Sequence, residues 1–191
     1  MSTTIKPSSG TILVSEPFLK DFYFTRSVIL LAEHSEDGTF GLILNKPTNL
    51  KLSETLNNGS FTISEEFDNN IFLGGPVKTD SLYFIHTRND LIENSVKILE
   101  GIYWGGNIDT VKHLIQQRIL TKDDIRFYIG YSGWDPKQLD EELKEHTWVV
   151  TQTDANFLLK NPPELLWKKA VKILGKDYSE WTNYPIDPQL N

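Results

Sequence analysis

Three groups of residues in this chain of 191 could carry chemistry. The first is Gly130-Tyr131-Ser132-Gly133-Trp134, close to the Gly-x-Ser-x-Gly elbow that exposes a nucleophilic hydroxyl between a strand and a helix. Trp134 stands where that motif needs its last glycine. A tight turn with Ser132 bonded to local backbone is therefore the plainer account. The second group is His34 and His86, each ending an apolar stretch of strand length. An imidazole titrates near neutrality, so acid–base work is the natural role there. The third is Gln138 and Glu142, four apart and so on one helical face. A carboxylate facing inward needs a partner, and Arg26 at the start of a strand is the expected one.

Other chemistries are disfavoured by what the chain lacks. His113 and His146 read as ordinary helix and pre-strand residues, and no histidine pair has the spacing of a helical metal site. The cysteine count is 0, which excludes disulfides and thiolate chemistry. No metal or cofactor is expected. Gly74-Gly75-Pro76-Val77 lacks the Lys-Ser/Thr of a phosphate-binding loop, so it is a strand crossover or a ligand-contact loop.

These residues need elements to hold them. Phe127-Tyr128-Ile129 predicts a strand running into the glycine turn. A helix then leaves it, with Asp135 as N-cap, Pro136 at the first position and Gln138 closing a capping box. Strands are predicted over 11–14, 27–32, 39–44, 71–73, 82–85 and 147–150, with 98–104 a strand or hairpin arm and a hairpin turn at Glu36-Asp37-Gly38. The run 27–32 is apolar throughout, as in a strand buried on both faces. Pro47 ends the strand before it. A short helix from Ser53 breaks at Asn57-Asn58-Gly59. Another, capped by Asn107 or Asp109, carries Ile108, Val111, Leu114 and Ile115 on one stripe. Helices also follow Asp154 and Pro162-Pro163, the last ending at Gly175. Phe18, Phe22 and Phe24 are expected to form a lid over one edge of the core. Strands outnumber helices without alternating with them, which argues an α+β class. One domain over 1–191 is expected, with tails at 1–9 and 185–191.

The formal net charge of -7 repels phosphate backbones, and no run of Lys or Arg offsets it. The aromatic residues have no basic residues interleaved with them, as a base-stacking platform would need. Direct nucleic-acid binding is not expected. There is no apolar run long enough for a membrane helix and no signal-like segment at the polar start, so the cytoplasm is the simplest compartment.

Taken in order, several pieces resemble the YqgE/AlgH family of bacterial proteins over nearly the whole chain. They are Gly10-Thr11-Ile12-Leu13-Val14 with Pro17, Phe24-Thr25-Arg26-Ser27-Val28 running to His34, and Gly41-Leu42-Ile43-Leu44-Asn45-Lys46-Pro47. Gly74-Gly75-Pro76-Val77, His86, Gly130 to Trp134, Gln138-Leu139, Glu142 and Trp148 complete them. Lys137 departs from the pattern, since the family usually has glycine there, and residues 52–70 match poorly. The resemblance implies an α+β fold whose mixed sheet curls into a barrel-like core surrounded by helices. It brings no established catalytic residue. It does single out Arg26, His34, Asn45, Gly74, Gly75, His86, Ser132, Gly133, Trp134, Gln138 and Glu142 as candidate ligand-binding positions, with Pro76 beside them.

The expected function is a binding domain for a small molecule or a protein, with a regulatory role. Its site would lie where the two glycine motifs meet the ends of the early strands. One alternative is a transcriptional regulator acting indirectly through a partner, the label some family members carry. Another is a hydrolase or transferase using His34 or His86, which requires either imidazole within about 3 Å of Ser132 or Glu142 in a cleft that solvent reaches.

Overall fold

A computed structural model of the chain describes residues 5–56 and 61–185. The predicted break at Asn57-Asn58-Gly59 and the outer parts of both predicted tails lie outside the described residues. The first strands are β1 (Thr11–Ser15), β2 (Val28–Ser35), β3 (Gly38–Ile43) and β4 (Pro47–Lys51), followed by the short helix α1 (Leu52–Leu56). Then come β5 (Asn70–Leu73), β6 (Val77–His86), β7 (Val96–Leu99), β8 (Ile102–Trp104) and helix α2 (Ile108–Gln116). The last part holds β9 (Ile125–Trp134), α3 (Gln138–Lys144), β10 (Trp148–Gln152), α4 (Ala155–Lys160) and α5 (Pro163–Leu174), with a 3-10 segment over Lys176–Asn183.

The strands form one sheet in the order β10-β1-β2-β3-β9-β6-β8-β7, with β4 and β5 branching from it. All pairings are antiparallel except β5 with β9, so the sheet is mixed and the α+β class holds. The expected curled, barrel-like core is not what forms. A barrel needs its last strand paired to its first. Here β10 and β7 are the two ends of the order, and no ladder joins them among the described residues. Helices cover the apolar faces instead of the sheet closing on itself. Leu166, Trp167, Ala170 and Val171 of α5 pack with Val28, Leu30 and Ala32 of β2. Ile29 and Leu31, which point the other way along the same strand, pack with Leu139 of α3. β2 is thus buried on both faces, as its unbroken apolar run requires. A third cluster joins Val111, Leu114 and Ile115 of α2 to Phe84 of β6 and Phe127 of β9.

The strand β9 is the keel of this sheet. Its first half pairs with β6 and, in parallel, with β5. Its second half pairs with β3, Gly41 opposite Ser132 and Thr39 opposite Trp134. The predicted tight turn at 130–133 is therefore continuous strand. Gly130 takes φ 65°, which kinks the strand where it changes partners without ending it. Pro47 likewise opens β4 rather than only closing β3; it is the first residue of that strand, where its missing N–H costs no ladder bond. The stretch 98–104 is two strands of a hairpin around Gly101, at φ 77°.

Candidate functional site

The two glycine motifs meet, and they meet backbone to backbone. Gly74 donates its N–H to the Ile129 carbonyl at 2.8 Å, and its own carbonyl accepts from Ile43 N–H at 2.9 Å. The Ser132 hydroxyl donates to that same carbonyl at 3.0 Å. A Cβ on Gly74 would sit 2.2 Å from the Gly130 carbonyl oxygen, and one on Gly75 2.3 Å from the Tyr131 carbonyl carbon. Gly74, Gly75 and Gly130 are all buried. The glycines admit one chain onto another here, and no hollow opens between them. Ser132 is 0% exposed and bonded, which leaves no free hydroxyl for nucleophilic attack.

Glu142 does not pair with Arg26. Its Oε2 accepts from two indoles, Trp134 Nε1 at 2.8 Å and Trp148 Nε1 at 2.7 Å, and its Oε1 accepts from Gln138 Nε2 at 2.9 Å. Both indoles are nearly buried, and Phe24 packs against both rings. A carboxylate that collects three donors at a helix–strand junction is a charge-assisted clamp. Of the expected aromatic lid, only Phe24 joins the clamp; Phe22 is 87% exposed and Phe18 rests on Tyr184. Gln138 works at both ends: its Oε1 also accepts from Asp135 N–H at 3.0 Å, one half of the expected capping box. The other half is missing. The cap position falls on Lys137, in the left-handed region at φ 69°, and no side chain caps the helix. That conformation is where glycine costs nothing and lysine is strained.

Arg26 reaches the segment after the 3-10 turn, at Tyr184 and Pro185. Its Nη2 donates to the carbonyls of Tyr184 and Pro185 at 2.5 and 2.8 Å, its guanidinium lies 5.0 Å from the Trp167 ring centre, and burial pushes its pKa down. Asn45 bridges the backbone of Val28 and Arg26, each at 2.9 Å. His86 is 1% exposed; its Nδ1 accepts from Arg88 N–H at 3.1 Å, and its Nε2 has no partner among the described residues. Burial lowers its pKa, which favours the neutral ring. His34 is half-buried, with Nδ1 2.7 Å from the Thr39 hydroxyl. Neither histidine bonds to Ser132 or Glu142 among the described residues, so the geometry required for acid–base catalysis is not met.

Four of the predicted positions do come together, at an open corner between the β2–β3 hairpin and the start of α3. His34 lines a hollow of about 650 Å³ with Asp135, Lys137 and Asp140. Gly133, Trp134 and Gln138 line an adjoining one of about 540 Å³ with Phe40 and Tyr131. Ser35, Gly38, Thr39 and Asp135 belong to both. Cross-strand register puts Glu33, Phe40 and Gly133 in one row, and the Tyr131 ring lies over Gly133, 3.0 Å from where a Cβ would sit. Phe40 and Tyr131 are half-buried with ring centres 4.7 Å apart, backed by Trp104 and Tyr83 from the next strands. Around them stand Glu33, Glu36, Asp37, Asp135 and Asp140, all exposed and none ion-paired among the described residues. Sequence reasoning placed Tyr131, Glu36, Asp37 and Asp135 only in turn and cap roles, and did not name Phe40, Glu33 or Asp140 as site residues. The hairpin signal at 36–38 with alternation along the following strand was the available cue. No group of three His, Cys, Asp or Glu fit to hold a metal is found among the described residues. No helix among them is long and apolar enough to cross a membrane.

Comparison with known proteins is consistent over the whole length. A family model described as AlgH-like matches residues 12–179. A UPF0301 protein of Cytophaga hutchinsonii is 42% identical over 186 residues, covering 96% of this chain and 99% of that one. A UPF0301 protein of Bacteroides fragilis is 40% identical over 190 residues, covering 100% and 94%. The solution structure of the AlgH protein from Pseudomonas aeruginosa superposes with a TM-score of 0.75 at 25% identity, covering 97% of this chain and 98% of that one. A crystal structure from Corynebacterium diphtheriae, 20% identical and covering 95% of each chain, shares the fold at a TM-score of 0.77.

Proposed function

The chain belongs to the AlgH-like family, and from that premise we propose that it is a binding domain whose site is the open corner between the β2–β3 hairpin and α3. The observation that carries this reading is the pair of half-buried rings, Phe40 and Tyr131, in a hollow rimmed by carboxylates that have no cationic partner among the described residues. Carboxylates beside aromatic faces suit a lysine or arginine side chain, which gains both ion pairing and cation–π contact. The corner is broad and open, which suits a protein segment better than an enclosed small molecule. His34, Gly133, Trp134 and Gln138 line it; Glu142, Ser132, Gly74 and Gly75 hold its walls in place.

A regulatory role is exercised through that partner. The net charge of -7 speaks against direct contact with a phosphate backbone. We place the protein in the cytoplasm, on its lack of cysteine, and treat residues 1–191 as one working unit. The test is an amide NMR titration with short arginine-containing peptides and, separately, with arginine amide. Signals from 33–40 and 131–138 shift with the peptides, and Asp37→Asn with Asp135→Asn weakens the response. Shifts confined to other strands, or none with any peptide, remove this site; an equal response to arginine amide makes the occupant a small molecule.

A further inference from the structure

The opposite end of β9 carries a second hollow of the opposite sign. Arg126, Lys122 and Lys160 line a space of about 650 Å³, together with Thr87, Asn156 and the single carboxylate Asp123. None of the three cations is ion-paired among the described residues. In a chain of net charge -7, three unneutralised cations around one hollow are out of keeping with the surface at large.

Arg126 is held in place for the task. It is half-buried, its guanidinium lies 4.8 Å from the ring centre of Phe72, and Nη1 makes a long bond of 3.3 Å to the Leu158 carbonyl. The guanidinium also faces the buried Tyr128 hydroxyl; its remaining donors make no hydrogen bond among the described residues, and a planar fork of this kind suits an oxyanion. Lys122 and Lys160 come from opposite sides, one from the turn before β9 and the other from the end of α4. The same three cations also line a neighbouring space of about 470 Å³, walled by Leu52, Phe67, Phe72, Phe127 and Pro163. Charge at one end and an apolar wall at the other select a molecule with both.

We propose that this hollow binds a small organic anion, its phosphate or carboxylate group held by Arg126, Lys122 and Lys160 and its apolar body lying along Phe67 and Pro163. The site is independent of the corner at α3, and the two draw on separate signals. The experiment uses phenyl phosphate and inorganic phosphate with the full chain, read by calorimetry and by amide NMR. Phenyl phosphate binds and shifts signals from 122–126 and 156–160, while 33–40 stay still. The double variant Lys122→Ala/Lys160→Ala, altered only at exposed side chains, binds about tenfold more weakly, and added salt weakens the wild type. Arg126→Met, which keeps the contact with Phe72, abolishes binding. No binding at millimolar ligand, or unchanged affinity in the double variant, overturns the proposal. Inorganic phosphate binding as tightly as phenyl phosphate overturns the assignment of the apolar wall.

Discussion

The glycine crossing and the hairpin corner lie side by side on β9, yet one is closed and the other open. At the crossing, Gly130 and Ser132 press against Gly74 and Gly75, and the room a side chain would need is taken by main-chain atoms. At the corner, Tyr131 and Gly133, alternating with them along the same strand, face a hollow. Residues one position apart thus have different employments because a strand shows alternate side chains to opposite faces. The lesson concerns motifs. Glycines near polar strand ends suggest a ligand only if the vacancy above them is real; main chain fills it at Gly74 and Gly75, and at Gly133 the ring of Tyr131 lies over it.

The largest effect expected from breaking this contrast is at the crossing. In Gly74→Ala the new carbon would overlap the Gly130 carbonyl and press on Leu42, and main chain on both sides cannot yield cheaply. A loss of about 4 kcal/mol or more is expected by urea unfolding, at the exceptional end for one substitution; a loss below about 1 kcal/mol would show that the crossing relaxes. Next is the clamp that ties the end of β9 to α3 and β10. Glu142→Ala leaves two nearly buried indole N–H groups unpaired, which costs about 2–4 kcal/mol. Trp104→Phe is its control on the open side. The Trp104 Nε1 is buried without a partner among the described residues, so the variant loses ring packing against Phe40 but no hydrogen bond, at about 1–2 kcal/mol. Equal losses in the two variants would mean that hydrogen bonding by the carboxylate is not what holds the clamp. The smallest effect is a gain. Lys137→Gly relieves a left-handed backbone at the rim of the corner and raises stability by about 0.5–1 kcal/mol, seen as a higher midpoint with an unchanged urea slope.

Much of this was legible because it is written locally. The apolar run of β2, the stripe on α2 and the turn at 36–38 each follow from a period or a dipeptide, and all three hold. What escaped depends on distant partners. A glycine at positive φ suits a turn and a kinked strand equally, and only the pairing of β9 with β3, far away in the chain, decides for Gly130. Glu142 takes indoles eight residues before it and six after it, a spacing with no helical or strand period, so Arg26 looked the better partner. The open sheet is likewise a matter of which strands lack a second neighbour, and no single segment records that. Lys137 is the instructive exception. Its departure from the glycine that the family resemblance implies there was visible beforehand, and the left-handed backbone is one that glycine adopts without strain.

The position of β9 also bears on how the chain must assemble as it is made. Strands β3 and β6 leave the ribosome well before Ile125, and each has β9 as a neighbour. Until Trp134 emerges, both present a bare hydrogen-bonding edge, the kind of surface that recruits the wrong strand. A fragment ending short of that point would carry two unjoined half-sheets, and its fate would rest with whatever shields nascent edges in the cell.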